Sequence, residues 1–506
     1  MTTQDKFGLT HAYQPERSVF LNGLEISRII TGLWQVADME KSGVDLDLES
    51  SARAMIEYVK DGFTTFDMAD HYGSAELITG HCLKLMRDEP SLGKLSTPTV
   101  FTKWCPKPGD MTSPVVVAGV EERLRRLDRS SIDLLQFHWW QYENPSYLDA
   151  MRELGKLQEA GTISNIGLTN FNTDHLKLVL GWGATISTNQ VSFSLVDRRA
   201  ARRMSELCSK QNIGILAYGT LCGGFLTDQW VGAPEPTSGM ITDWSKLKYS
   251  RFIAAFGGWK IFQILLRALA DIARKHGVSV ANVATRWVLE QPAVLAVIVG
   301  ARLGENQHRS DSLRLFSFKL DKDDHTKIEE ALSESVEISG DCGDEYRRPP
   351  FLTASGDLSH HIEAADNVYS IESDDGIRKR TTTNTRWESV GSFSRAIRVG
   401  DRILVSGTTA TDFRGSVVCE GKAEEQTVFI LDKIIGSIEA LGGTRKDIVR
   451  TRIYLKDVHV WEAVSGVHGR YFEGIKPANT LVVVKDLVGN YEVEIEAEAI
   501  VSASPL

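Results

Sequence analysis

The sequence predicts an α/β protein, a (β/α)8 TIM barrel followed by a smaller α+β domain. Between residue 27 and about residue 300, eight short apolar, β-branched runs each end in a polar residue and lead into a stretch with helical periodicity. Strands that are apolar almost throughout are covered on both faces, as in a closed parallel barrel. None of the eight runs is followed by GxGxxG, which removes the main support for an open dinucleotide-binding sheet. Beyond residue 386 the order becomes strand, strand, helix, strand, helix, strand, strand, the pattern of a compact α+β unit.

The barrel strands are predicted at 27–34, 63–70, 99–104 (TVFTKW), 132–140 (IDLLQFHWW), 163–171, 186–190, 213–221 and 294–302. Helices between them are legible. Ala52, Met55, Ile56 and Val59 share one face ahead of Gly62, and Val116, Val120 and Leu124 share another beside the supportive Glu121/Arg125 pair. The long connection 228–262 mixes Gly, Pro and aromatics after the seventh strand, where loops cover the active face of a barrel. These elements assign residues 1–340 to the barrel, 341–385 to a linker and 386–506 to the second domain. The linker is rich in acids, Ser, Thr and Gly and holds Pro349–Pro350, the pair His360–His361, read as solvated, and the basic run Arg378–Arg380. Strands of the second domain are predicted at 393–399, 402–408, 449–457, 479–487 and 491–501, and helices at 421–441 and 460–473. In its last strand Glu492, Glu494, Glu496 and Glu498 share one face, which would ordinarily meet water unless another surface covers it.

Of the 506 residues 42% are apolar and 25% charged, ordinary globular usage, and the formal charge of −10 disfavours nucleic acid or anionic lipid as partners. Cys82, Cys105, Cys208, Cys222, Cys342 and Cys419 show neither zinc spacing nor a dense framework, so reduced thiols in a cytoplasmic protein are expected. The start MTTQDKFGLTHAY lacks a secretory pattern, and the longest apolar run, 293–301, is too short to span a bilayer. No metal site is expected.

Catalytic groups of such barrels sit at the C-terminal strand ends. The second strand offers Asp67 and, five residues on, Tyr72; the third ends in Lys103 and the fourth reaches His138. A free tyrosine titrates near 10, and an adjacent ammonium favours its phenolate, so this set is suited to proton transfer. Asp67 would hold the lysine, and His138 would donate a hydrogen bond to a carbonyl oxygen. Trp34, Trp104, Trp139, Trp140 and Tyr249 crowd the same face and suggest a pocket for a flat or apolar carbonyl compound.

The motifs FDMADHYGSAE, VFTKW, DLLQFHWW, NIGLTNF, NQVSFS, LAYGTL and IVGAR resemble, in order and in register with the strands, those of the aldo-keto reductases across roughly residues 15–335. The resemblance implies NADPH-dependent reduction of an aldehyde or ketone, with Tyr72 as general acid, Lys103 and Asp67 tuning it, and His138 orienting the carbonyl. It also implies cofactor contacts at Gly32, Trp34, Thr169, Asn170, Gln190, Tyr218 (stacking on the nicotinamide), Gly219, Leu221, Gly223, Gly300 and Arg302, the last taking the 2′-phosphate. Where the family carries an Asn against adenine, this chain has Ser310 or Ser312.

The segments VSGTT, EEQTVFILDKIIGSIEALGG, VRTRIYLKDV and PANTLVVV…EVEIEAEAIV resemble the RidA (YjgF) enamine/imine deaminases over about 115 residues, which implies a chorismate-mutase-like fold and assembly into a trimer. Its cleft residues map to Ser465, Asn479 and Glu494. Asn479 stands where the family has a carboxylate-clamping Arg, whose bidentate charged fork an amide cannot replace. The reading is therefore a carbonyl reductase fused to an assembly or ligand-binding module. The alternatives are a cofactor-binding regulatory subunit and a bifunctional enzyme with imine or enamine deaminase activity.

Overall fold

The computed structural model describes residues 17–501 except 42, 44–45, 242, 305–307, 348–368, 374–376 and 384. Pro349–Pro350 and His360–His361 lie outside the described residues.

Eight parallel strands close into a barrel: Ile29–Gly32, Thr65–Asp67, Thr99–Trp104, Leu134–Phe137, Ile166–Thr169, Thr188–Ser192, Gly214–Tyr218 and Val294–Gly300. Seven of the predicted runs contain one of them, and the sixth, 186–190, overlaps Thr188–Ser192, which runs two residues further. Burial of both strand faces, inward on the barrel interior and outward on the helix ring, explains the unbroken apolar runs. The N-terminal (bottom) end is closed by a hairpin absent from the sequence reading, Ser18–Leu21 paired with Leu24–Ser27 around Asn22 and Gly23 (φ 50° and 84°). Its Leu21 and Ile26 pack on Ile30, Phe101, Leu134 and Leu216 inside the barrel.

The long connection after the seventh strand is mostly helical rather than a loop. Helices Trp244–Phe256 and Gly258–His276 meet at 94°, and Ser245 lies against the Cys222–Gly224 turn above the strand end. Among the described residues no single helix is long and apolar enough to cross a membrane.

The second domain is a seven-stranded sheet with helices Ala423–Ala440 and Trp461–Tyr471 on one face. Two strands, Ser370–Ser373 and Arg378–Thr382, fall within the residues assigned to the linker. Their register onto Ala396–Val399 supplies the backbone partners that their polar composition does not advertise. The other end of that supposed linker, Asp341–Arg347, packs on the barrel mouth. Residues 341–385 are thus structural at both ends.

The long helix Ala423–Ala440 is buried almost all round, between its own sheet and the barrel helix Thr173–Gly181. Its apolar residues, Val428 to Leu431, Ile434, Ile435 and Ile438, are all taken up by that double burial, together with several polar ones. Polar contacts orient the junction. His175 Nε2 lies 2.7 Å from Asp432 Oδ2, Tyr471 donates to Asp432 Oδ1 at 2.7 Å, and Arg470 forks onto Asp174. Lys177 pairs with Glu424.

Lys433, on the same helix, is buried and donates to the Thr411 carbonyl at 3.0 Å. Burial foremost, and then the charge of Arg395, pushes its amine down from 10.5 to about 7, against Glu388 and Asp412. Between those two values the unfolded chain binds a proton that the folded chain does not, so this group adds stability as pH rises. Relative to Lys433→Met, the wild-type protein should therefore gain roughly 3–5 kcal/mol between pH 7 and about 10.5. Urea unfolding of both proteins across that range measures it, and parallel curves would refute it.

Candidate active site

Asp67 is the hub of the barrel interior. It ends the second strand with its side chain inward, and the next two strands bring Lys103 and Gln136 to it. Lys103 Nζ donates to Asp67 Oδ2 at 2.5 Å and to the Met68 carbonyl at 3.0 Å. Gln136 Nε2 and Gln190 Nε2 each donate to Asp67 Oδ1 at 2.8 Å, and Gln190 also reaches Gln136 Oε1 at 2.7 Å. All four side chains are buried, so the charges meet in low dielectric and with their hydrogen-bonding capacity satisfied, the condition under which a buried ion pair is tolerated. Gln136 was missed by the sequence reading. Its signal was a lone amide inside the apolar run LLQF.

Tyr72 sits above this hub. The Lys103 ammonium lies 4.9 Å from the centre of its ring, and Trp34 meets that ring edge-on at 5.0 Å. Beneath it Asp70 accepts from the Cys105 backbone and pairs with His71. Burial opposes ionisation there, but His71, the Cys105 N–H and Arg123 outweigh it and hold the Asp70 carboxyl at about 2. His138, buried, has Trp140 at 3.9 Å and Tyr346 edge-on at 5.7 Å between ring centres. The structure thus brings Asp67, Tyr72, Lys103 and His138 to one mouth, with Trp34 and Trp140 beside them.

Two of the tryptophans placed in the pocket face the other way. Side chains alternate along a strand, so with Lys103 and His138 inward their neighbours Trp104 and Trp139 point out into the helix ring. Trp104 packs on Gly119 and Phe137, and Trp139 stacks on Phe137 while its indole donates to the Gln141 and Asn144 carbonyls. Tyr249 is buried against the backbone at Gly219, forming a second layer behind Tyr218.

Across the mouth the remaining predicted residues line one side. Thr169 Oγ1 donates to the Gln190 carbonyl, and Asn170, in the left-handed region at φ 57°, accepts from Tyr218 OH at 2.7 Å. Gln190 is turned toward Asp67, as described. Gly32 and Gly300 end adjacent strands, with Ile298 and Gln35 packed against them, and Gly219, Leu221 and Gly223 form the turn beneath Ser245 and Tyr249. Leu221 continues into a cleft with Ile29, Asn282, Val299, Asp311 and Ser312, whereas Ser310 is exposed. Arg302 follows the last strand and is half-buried. Amides, an aromatic ring, a cation and a lined cleft in sequence fit an anionic dinucleotide.

The mouth is completed by residues absent from the sequence reading. Tyr346 OH lies 3.2 Å from Tyr218 OH and pairs with Lys248, while Arg347 donates to the Asn170 carbonyl and to Tyr142 OH at 2.5 Å each. Composition gives no hint of them, because they reach the site from a polar segment and from the insertion.

In the second domain the three cleft residues are separated. Asn479 donates to Thr451 on the side of the sheet that faces the Trp461–Tyr471 helix, itself carrying half-buried Ser465. Glu494 is on the other side, where burial raises its carboxyl against the pull of Arg395. The acidic face is not simply solvated. Arg452 donates to Glu496 and Glu498 at 2.9 Å each, and Tyr454 donates to Glu496.

Residues 28–333 match the aldo/keto reductase family and residues 383–501 match the family described as Endoribonuclease L-PSP. The chain belongs to the aldo/keto reductase family, and its barrel is fused to a RidA-like domain. Aldo-keto reductase YhdN of Bacillus subtilis is 26% identical over 66% of this chain and 97% of its own length. The chloroplastic pyridoxal reductase of Arabidopsis thaliana is 24% identical over 64% and 88%. A RutC family protein of Pyrococcus abyssi is 33% identical over 22% of this chain and 87% of its own. Among solved structures, a glycerol dehydrogenase of Gluconobacter oxydans superposes with a TM-score of 0.53 at 24% identity, covering 64% of this chain and 98% of that one, a likeness of fold.

Replacing Asp67 by Ala removes one partner of the buried pair and leaves the Lys103 ammonium uncompensated. The expected loss of stability is about 3–5 kcal/mol, read as the shift in urea midpoint; an unchanged midpoint would contradict the role of Asp67 as hub.

Proposed function

We propose that the barrel reduces an aldehyde or ketone to an alcohol with NADPH, and that the RidA-like domain assembles the chain into a trimer. The observation that carries the first part is the Lys103–Asp67 pair beneath the Tyr72 ring, with His138 on the same mouth. The family membership and the reductase names of its relatives support the same reaction class.

His138 and Tyr72 receive the carbonyl oxygen and polarise it. A reduced nicotinamide, when bound, supplies the hydride that reaches the carbonyl carbon. Tyr72 gives its hydroxyl proton to the oxygen as the C=O π bond becomes the new O–H bond, and the Lys103 ammonium, held by Asp67, stabilises the phenolate left behind. Asn170, Tyr218 and Arg302 would hold the cofactor. Arg302, a guanidinium after the last strand, favours the 2′-phosphate and hence NADPH. Six buried free thiols suit a reducing, cytoplasmic setting.

For assembly, the sheet face opposite the docking helix exposes Leu404, Val482 and Ile500 around the Arg452/Glu496/Glu498 network. The barrel occupies the helix side and leaves that face to neighbouring copies.

Tyr72→Phe should keep NADPH affinity, followed by nicotinamide fluorescence, while reduction of a generic aldehyde falls by about 10²–10⁴-fold. Undiminished turnover would refute the mechanism. Light scattering of the full chain should return three times its 56.1 kDa mass, and Leu404→Asp combined with Val482→Asp should yield monomers; a monomeric wild-type protein would refute the trimer.

A further inference from the structure

The junction between the two domains ends on the loop that carries Asn170. That residue follows the fifth barrel strand, Ile166–Thr169, and Asn172 then caps the helix Thr173–Gly181, the element that meets the second domain. Asn170 is a non-glycine residue at φ 57°, a left-handed conformation that persists only where its surroundings hold it. They hold it from three sides. Its N–H donates to the Gln190 carbonyl at 2.8 Å, its side chain accepts from Tyr218 OH at 2.7 Å, and its carbonyl accepts from Arg347 at 2.5 Å. Gly343 packs so closely on that carbonyl that a side chain there would collide with it.

Two routes lead from this loop to Asp432 on the buried helix of the second domain. On the first, His175 Nε2 lies 2.7 Å from Asp432 Oδ2 while His175 Nδ1 lies 2.7 Å from Asn172 Oδ1, so one ring bridges the second domain to the loop. Asn172 Oδ1 also accepts from the His175 N–H, and its amide donates to Asp344 at 3.3 Å. On the second route, the same ring lies flat on Tyr142, 3.4 Å between centres and 6° from parallel. Tyr142 OH accepts from the Asn172 N–H at 3.2 Å and from Arg347 at 2.5 Å, and Arg347 is the group that grips the Asn170 carbonyl. Asp432 is itself fixed, because Tyr471 donates to its other oxygen at 2.7 Å. Asp432, His175 and Tyr142 are all buried, where hydrogen bonds are strong and close-packed groups do not yield one at a time.

Resting on the reductase reading, in which Asn170 holds the cofactor, we propose that Asp432 is a positioning residue for the cofactor site. Through His175, Tyr142 and Arg347 the RidA-like domain fixes the Asn170 loop in the conformation that receives the nicotinamide cofactor. The second domain is then a working part of the reductase as well as a means of assembly. Linkage makes the effect reciprocal: NADPH bound in the barrel tightens the docking of the domain.

The test reads NADPH affinity by nicotinamide fluorescence on the full chain. Asp432→Ala should weaken it roughly 2- to 30-fold, the range over which residues outside a site modulate it. Asp432→Asn, which keeps an oxygen for His175, should weaken it less. Arg347→Met should also weaken it, and Asp432→Ala combined with Arg347→Met should cost less than the product of the two, since both act through one route. Lys177→Met removes the Lys177–Glu424 pair from the same junction without touching either route, and should leave the affinity unchanged. In the cofactor-free protein, hydrogen exchange at the Asn172 and Thr173 amides should quicken in Asp432→Ala and not in Lys177→Met. Should Asp432→Ala fail to fold, Asp432→Leu, of the same branched shape, takes its place under the same criteria. Unchanged NADPH affinity in the folded variant overturns the proposal and leaves the reductase reading standing. An equal loss in Lys177→Met, or fully multiplicative losses in the double variant, overturns it too. A wild-type chain that binds no NADPH fails the reductase reading and takes the proposal with it.

Discussion

The mouth of the barrel is organised on one buried ion pair. Asp67 and Lys103 come from adjacent parallel strands, and their meeting inside the barrel holds the Lys103 ammonium beneath the Tyr72 ring. Burial makes the pair costly, and the structure offsets the cost with the Gln136 and Gln190 amides and the Met68 carbonyl. That requirement brings the second, third, fourth and sixth barrel strands into one hydrogen-bonded centre, so strand register and the placement of the Lys103 ammonium beneath the Tyr72 ring are set by the same contacts.

Around that centre the chain builds outward in layers of different origin. The strand ends supply Asp67, Lys103 and His138, the insertion after the seventh strand supplies Lys248 and Tyr249, and the segment after the barrel supplies Tyr346 and Arg347. The second domain adds a further layer. Asp432 holds His175, whose ring stacks on Tyr142 at 3.4 Å, and Tyr142 in turn carries the Arg347 guanidinium at 4.1 Å. Arg347 ends on the Asn170 carbonyl. The docked domain thereby buttresses the wall of the mouth, although among the described residues it contributes no side chain to the Asp67–Lys103 centre.

Much of this was legible in the primary structure because barrels are periodic. Apolar runs, helix faces and the residue types at strand ends were enough to bring Asp67, Tyr72, Lys103 and His138 together. Strand parity was available too, and would have turned Trp104 and Trp139 outward once Lys103 and His138 were taken as inward; crowding of aromatics outweighed it. The turn residues Asn22–Gly23 likewise marked the hairpin that closes the bottom. By contrast, Tyr346 follows a stretch of acids and glycines, and its burial depends on Arg199 far away in sequence.

The amino-acid order by itself determined which residues could form strands and which polar groups would stand at their ends, because both depend on local periodicity and side-chain chemistry. Only the tertiary structure decided that the presumed linker would pair as strands at one end and wall the barrel mouth at the other. It also decided that the helix Ala423–Ala440 would be covered on both sides and that Asn479 and Glu494 would face apart. Those outcomes rest on contacts between segments distant in the chain, where burial of a shared surface, rather than the preference of either segment, selects the partner.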